Sequence, residues 1–323
     1  MKIGLIDVDG HNFPNFALMK LSAWHKMRGD AVEWAKADDL FCSVTYDRIY
    51  ASKVFTFTKD VEWGGYHADE VVRGGSGYDV SSRLASEVEE CNVLDYSLYP
   101  QYPFSVQFFS RGCVRRCGFC LVSKKEGWIR SVRPHALNEN GQWMEVLDNN
   151  FFANPEWRDA VEWIARSGQK VKLHGVDVRL MDEEQAMALK RIRHYRQPHI
   201  AWDSPMDMRP QLEALAKYVR PSAITCYVLI GYGSTMEEDL FRVRTLKEMG
   251  FTPFVQPYRD FENKRNVTWY ENDFARWVNN RFFLKSCDFM DFEPRKGFRC
   301  GAYADHPELR EMPFDKRLKP MVR

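Results

Sequence analysis

The sequence predicts an α/β fold, in which a small parallel-sheet unit is followed by six further strand–helix repeats. Short apolar segments recur along the chain, and stretches with apolar residues at helical spacing separate them. The longest apolar segment, residues 223–230, has almost no polar position. Such continuity is typical of a strand that is covered on both faces in a parallel sheet.

Length and composition limit the class of protein. The chain has 323 residues, 45% hydrophobic and 28% charged, which suits one large globular domain and a smaller one. No apolar run approaches the length of a membrane span, and a net charge of +1 provides no overall attraction to nucleic acid or membranes. The eight cysteines and the lack of a secretory segment predict a cytoplasmic location.

Residues 1–100 read as a Rossmann-like α/β unit. A buried strand over 2–8 is followed by a helix that opens near Pro14 and ends at Gly29. Further strands are predicted at 32–34, at 48–55 and before the glycine-rich turn 74–77.

Residues 101–262 contain the six repeats, and residues 263–323 form an extension with an aromatic helix over 266–284. Helix starts are indicated by Asn154, Asp182 and a Ser234–Glu237 capping box. The six predicted strands are 104–109, 143–147, 170–173, 199–202, 223–230 and 252–257.

The most informative feature is a group of three cysteines directly after the first of these strands. Cys113, Cys117 and Cys120 have the spacing C-x3-C-x2-C. Three thiolates on one loop can hold three irons of a [4Fe–4S] cluster and leave the fourth iron open to a small molecule. Gly112 and Gly118 would let the backbone approach the cluster closely.

Two other interpretations of the cysteines remain open. A zinc site usually has four ligands, but only one C-x2-C pair is present, and His135 and His174 stand alone. Unpaired core thiols are the second alternative. A disulfide within so tight a group would be strained.

With Phe119 just before the third cysteine, this motif resembles the signature of radical SAM enzymes, and the resemblance covers residues 100–262. It implies a partial (β/α)6 barrel whose cluster binds and reductively cleaves S-adenosylmethionine. The resulting 5′-deoxyadenosyl radical would abstract a hydrogen atom from an unidentified substrate. The alternative function is a non-catalytic sensor or assembly module that keeps the cluster and the SAM pocket.

The first hundred residues resemble a truncated form of the cobalamin-binding domain that precedes many radical SAM barrels. The chain has no Asp-x-His-x-x-Gly motif, and His11 is a poor substitute for the axial ligand. Such domains can bind cobalamin without a histidine, so cobalamin stays an alternative. We favour the interpretation that these residues form a scaffold that flanks the barrel.

The resemblance also implies SAM contacts at the carboxyl ends of strands, where barrels of this kind carry their chemistry. For each polar residue the alternative is a solvent-facing loop or a helix cap. The implied contacts are Phe119 near the adenine, Asp148 and Asn149 for the amino group, Asp177, Arg179 and Asp203 for the ribose or carboxylate, and Gly231 and Tyr232 along the adenine.

Seven basic residues and one acid, Glu126, lie between Arg111 and Arg133. They suit an anionic cluster or an acidic electron donor of the flavodoxin or ferredoxin type. An anionic substrate such as nucleic acid is the third interpretation.

The remaining cysteines indicate no second cluster by themselves. Cys287 and Cys300 are too few unless Cys42, Cys91 or Cys226 joins them. Cys226 lies within the fifth strand, where a buried inert thiol is the commoner role.

Overall fold

The computed structural model describes residues 1–38, 43–260 and 263–315, so Cys42 lies outside the described residues. The chain divides into two compact units. The first consists of Met1–Asn149, Asn154–Glu156 and Ser167–Val171, and the second of Asn150–Ala153, Trp157–Arg166 and Lys172–Arg323. The chain therefore passes from one unit to the other several times between residues 149 and 172.

The first unit opens with a four-stranded, fully parallel sheet in the order β2-β1-β3-β4. Its strands are β1 (Lys2–Asp7), β2 (Ala31–Trp34), β3 (Thr45–Ser52) and β4 (His67–Gly74). Helix α1, Phe16–Met27, begins at Asn15, whose side chain accepts a hydrogen bond of 3.3 Å from Leu18 N. The predicted α/β class is confirmed here.

Apolar residues of α1 and β1 form the core of this unit together with β5, Phe104–Gln107. Ile3, Leu18 and Val106 are fully buried in that core. A short helix α2, Ser86–Glu89, contributes Val88 to the same cluster. Burying these side chains removes apolar surface from water and ties the strand before the cysteines to the first sheet.

Beyond β5, the chain forms the cysteine loop and then the next strand of the β5 sheet. The elements are β6 (Ser110–Arg111), α3 (Val122–Lys125), β7 (Arg130–Ser131) and β8 (Trp143–Val146). Strands β6 and β7 pair antiparallel, while β8 pairs parallel with β5. Strand β9, Lys170–Leu173, completes the sheet order β5-β8-β9.

The second unit contains a three-stranded parallel sheet in the order β10-β11-β12. An isolated parallel bridge joins Asp177, after β9, to Ala201 in β10. Apart from β9, the helices and strands that follow β8 are α4 (Trp157–Ser167), α5 (Glu183–Arg191), β10 (His199–Ala201), α6 (Arg209–Ala216), β11 (Thr225–Ile230), α7 (Met236–Glu248), β12 (Thr252–Pro257), α8 (Trp269–Asn279), α9 (Arg281–Ser286) and α10 (Ala302–Asp305).

All six predicted strands of the central region are present, and those at 170–173 and 252–257 have the predicted bounds. The sheets are mostly parallel, and they form no closed barrel in the part of the chain that the structure describes. None of the described helices is both long enough and apolar enough to cross a membrane.

Three predicted helix boundaries are wrong. Helix α4 begins after Glu156, and the Asn154 side chain accepts from Glu156 N at 3.1 Å while it also contacts Phe109 O and Ser131 Oγ. The capping box of α7 is Thr235–Glu238, one residue later than predicted. The predicted helix over 266–284 is split into α8 and α9 at Asn280. The Asn280 side chain caps α9 by accepting a hydrogen bond of 2.9 Å from Phe282 N.

Candidate functional site

The cysteine loop begins after β6 and ends at β7. These two strands pair antiparallel and fix the base of the loop. Cys113, Cys117 and Cys120 are half-buried, and none of the seven described cysteines is in a disulfide bond. Gly112 opens the loop with φ +83°, and a Cβ at this position would collide with Trp128 O. Only glycine adopts this conformation here without strain.

Backbone hydrogen bonds hold the loop in shape. Cys113 N donates to Gly127 O at 3.3 Å, and Cys120 N donates to Cys117 O at 3.0 Å. Arg115 N lies 3.3 Å from Cys113 Sγ, which accepts its hydrogen bond. Phe119 is half-buried on the same loop.

The described residues contain no ready-made site for a single metal ion. Across the described ranges, no three His, Cys, Asp or Glu side chains are positioned to hold a metal ion. The donor set itself fits an iron–sulfur cluster, because thiolates are the usual ligands and all three thiols lie on one partly exposed loop.

Glu126, which the sequence analysis did not single out as a site residue, organises this loop. Its carboxylate accepts from Arg111 at 2.7 Å, from Gly112 N at 2.8 Å and from Asn149 Nδ2 at 2.8 Å. The side chain is only 10% exposed. Between residues 111 and 133, Glu126 is the one acidic residue beside seven basic ones. This contrast is the feature of the sequence that could have indicated its role.

Asp148 is buried at the end of β8, with 1% of its surface exposed. Its carboxylate accepts a hydrogen bond of 2.8 Å from Phe109 N and another from Ser110 Oγ. Burial raises the pKa of Asp148 to about 6, although both hydrogen bonds oppose the rise. The side chain therefore ties the end of β8 to the turn that leads into the cysteine loop.

In the second unit, Asp177 and Arg179 interact directly. The Asp177 carboxylate accepts from Arg179 N at 3.0 Å and from Arg179 Nε at 2.8 Å. Asp203, which follows β10, accepts a hydrogen bond of 3.0 Å from Leu229 N. Burial raises the pKa of Asp203, and the charge of Arg179 is close enough to oppose that rise. These three residues form one polar group at neighbouring strand ends.

Gly231 and Tyr232 follow β11 in the same unit. Gly231 has φ +78°, and a Cβ there would collide with the carboxylate of Glu271, which is paired with Arg265. Tyr232 is 44% exposed, and its ring meets that of Tyr258 edge to face at 4.9 Å. The turn after β11 therefore combines a crowded backbone with an exposed aromatic ring.

The candidate residues thus fall into two groups. The three cysteines, Phe119, Asp148 and Asn149 belong to the first unit, whereas Asp177, Arg179, Asp203, Gly231 and Tyr232 belong to the second.

Other residues considered in the sequence have structural surroundings. The ring of His11 packs against Trp34 at 4.2 Å and Tyr99 at 5.7 Å. Cys226 and Cys300 are fully buried, and burial raises the pKa of both thiols far above its ordinary value. Such thiols are protonated and inert at neutral pH.

Comparison of the chain with protein-family models, with curated proteins and with solved structures finds no match.

Proposed function

We propose that the protein is a radical SAM enzyme that holds a [4Fe–4S] cluster on Cys113, Cys117 and Cys120 and cleaves S-adenosylmethionine. One observation carries this proposal: three half-buried cysteines with the spacing C-x3-C-x2-C, outside any disulfide, share a loop that follows a parallel strand. Phe119 directly precedes the third cysteine in the sequence, as in the motif that the chain resembles.

The strand arrangement supports the proposal. Six strands follow one another in chain order in two ladders, β5-β8-β9 and β10-β11-β12. The bridge between Asp177 and Ala201 continues this order from the segment after β9 to β10. We propose that these strands are those of a partial (β/α)6 barrel.

When bound, such a cluster supplies the electron that cleaves the sulfonium of SAM. The chain contributes the conditions for holding it. Arg115, Arg116 and Lys124 lie on or beside the loop and would place positive charge near an anionic cluster. Glu126, after α3, accepts hydrogen bonds from Gly112 N at the start of the loop and from Asn149 beyond β8. These bonds fix the loop at both positions.

The polar residues at the strand ends suit SAM in their chemistry. Asp203 could accept hydrogen bonds from hydroxyl groups, and the guanidinium of Arg179 could bind a carboxylate. Both oxygens of Asp148 already accept hydrogen bonds inside the protein, so we assign it a positioning role. The substrate stays unidentified.

Anaerobic reconstitution with iron and sulfide tests the proposal. We expect about four irons per chain, the absorbance of an iron–sulfur cluster, and dithionite-dependent formation of 5′-deoxyadenosine from SAM. Cys117→Ala should lose both the cluster and the product. Cys91→Ala is the matched control, because Cys91 is a half-buried cysteine of the same unit outside the motif.

Two other outcomes would contradict the enzymatic function. A cluster that never yields 5′-deoxyadenosine, with dithionite or with a flavodoxin-type donor, would favour the non-catalytic module. Stoichiometric zinc without iron–sulfur absorbance would contradict both functions.

A further inference from the structure

A cavity of about 580 Å³ lies within the first unit, outside the cysteine motif. Its size is in the range typical of small-molecule sites, about 300–1,000 Å³. Phe16 of α1 and Phe108, after β5, form its apolar wall, and their rings meet edge to face at 4.9 Å.

Basic side chains surround this wall. The Lys20 ammonium lies 5.6 Å from the centre of the Phe16 ring, and the Arg111 guanidinium lies 4.2 Å from that of Phe108. Arg130 and Arg133 are exposed at the opening. The cavity therefore offers cations beside flat apolar surfaces, a combination that suits an aromatic ring with an attached anionic group.

Two acids, Glu89 and Glu90, also line the cavity. They partly offset its four basic residues and would repel a long polyanion. This balance favours a small molecule with one anionic group over nucleic acid.

His135 provides the observation that points most directly to a ligand. It lines the cavity and is 6% exposed, yet neither ring nitrogen has a hydrogen-bond partner in the described part of the chain. The buried Gln107 side chain clamps the His135 backbone, donating to its carbonyl at 2.6 Å and accepting from its N–H at 2.9 Å.

The backbone of His135 is thus fixed and its ring meets that of Phe16 edge to face at 4.9 Å, while both ring nitrogens are unsatisfied. A buried polar group without a partner costs about 1–3 kcal/mol. Burial, with the charges of Lys20 and Arg111, lowers the pKa of His135 to about 4. The ring is therefore neutral at pH 7 and still has one N–H to donate.

We propose that this cavity binds a small aromatic anion, whose ring packs against Phe16 and Phe108 and whose carboxylate or phosphate is bound by Arg130, Arg133 and the N–H of His135. The site is separate from the cluster motif.

NMR spectroscopy of the full chain, labelled with ¹⁵N-histidine and free of iron, tests this site. The probes are phenyl phosphate and benzoate, with inorganic phosphate and benzyl alcohol as comparisons. We expect one of the aromatic anions to shift the His135 imidazole signal. It should bind at least about tenfold more tightly than either comparison probe. Loss of the signal in His135→Gln assigns it.

Arg133→Gln should weaken that binding by about fivefold or more, because a charge-assisted hydrogen bond is lost. Lys36→Gln, which removes an exposed cation of the same unit outside the cavity, should change it less than about twofold. The relative affinities of phenyl phosphate and benzoate identify the preferred anionic group.

An unmoved His135 signal with all probes would overturn the proposal. Binding of inorganic phosphate as tight as that of the better aromatic anion would also overturn it, since the aromatic wall would then contribute nothing. Because the measurement needs no cluster, neither result bears on the radical SAM proposal.

Discussion

Asn149 donates a hydrogen bond of 2.8 Å from its side-chain amide to the carboxylate of Glu126. Asn149 lies just beyond β8, and Glu126 directly follows α3 at the far side of the cysteine loop. The bond therefore fastens the loop to the second strand of the β5-β8-β9 sheet. The same carboxylate holds Arg111 and Gly112, so three segments meet at one side chain.

We expect Glu126→Gln to lower the free energy of unfolding by about 1–3 kcal/mol. A neutral amide cannot accept from all three donors, and its own NH₂ would face one of them. Urea denaturation measures the loss, and limited proteolysis should show faster cleavage within the loop. Glu139→Gln, at an exposed position, is the control. Equal stability of the two variants would contradict this role for Glu126.

Gly112 and Gly127 form a matched pair for testing the shape of the loop. Both have positive φ, but a Cβ at Gly112 would collide with Trp128 O, whereas one at Gly127 meets no atom within 4 Å. Each alanine should cost about 1–2 kcal/mol for the left-handed backbone, and Gly112→Ala should cost about 1–3 kcal/mol more. Thermal unfolding and iron content after reconstitution are the measurements.

We expect only Gly112→Ala to lose iron. Similar losses of stability in the two variants, with iron retained in both, would show that the collision is relieved without moving the cysteines.

The turn after β11 offers a second matched pair. A Cβ on Gly231 would collide with Glu271, while Gly233, also at positive φ, has open space around it. Gly231→Ala should therefore destabilise the protein by about 1–3 kcal/mol more than Gly233→Ala. Chemical denaturation gives the difference. No difference would mean that the ion pair of Glu271 and Arg265 can shift at little cost.

Asp148 should make stability depend on pH. Its folded pKa, about 6, is raised above the ordinary value of 3.8, so the folded state binds the proton more tightly than the unfolded state. Stability is therefore lost as the pH rises from about 4 to about 6, by up to about 3 kcal/mol.

Comparison with Asp148→Asn isolates this effect, since the amide does not ionise. The free energy of unfolding of the wild type, minus that of the variant, should fall across this interval and stay constant above it. Urea titrations between pH 3.5 and 7.5 measure the difference. A difference that rises with pH would show that the carboxylate is stabilised as an anion.

Breaking a buried ion pair in the second unit should cause a large loss of stability. Asp239 and Arg242 are 0% and 2% exposed and are 2.6 Å apart, and Tyr270 donates to the same carboxylate at 2.9 Å. Asp239→Ala would leave the guanidinium buried without its counter-charge, at a cost of about 3–5 kcal/mol. Glu248→Ala, at an exposed position of the same helix, is the control.

Tyr270→Phe should cost only about 1 kcal/mol, because it removes one hydrogen bond and leaves the ion pair. Urea denaturation separates the three variants. If Asp239→Ala were no worse than Glu248→Ala, water would have to reach Arg242.

The strands at 170–173 and 252–257 were predictable because short segments with apolar positions follow turn glycines, Gly168 and Gly250. The third strand was placed three residues too late. Thr45–Asp47 looks polar, but Thr45 and Tyr46 pair with His67 and Ala68, and this pairing is not visible in the local sequence. Adjacent Ser234 and Thr235 are both good helix caps, so composition alone could not choose between them.

The candidate site was predictable only where its residues are close in sequence. The cysteine spacing is local, so the sequence alone shows it. The role of Glu126 depends on Asn149, 23 residues away, and the cavity beside His135 depends on Phe16, more than a hundred residues away. Such pairings arise from the folded chain, and no periodicity reports them.

The repeated crossings of the chain between residues 149 and 172 affect how the molecule can be divided. A single cut at any point leaves part of one unit attached to the other, since Asn154–Glu156 and Ser167–Val171 belong with Met1–Asn149. Truncation after residue 149 would leave the first unit incomplete, and truncation after residue 171 would leave it carrying segments of the second. An exchange of either unit between proteins would therefore have to carry the intervening segments of the other unit with it.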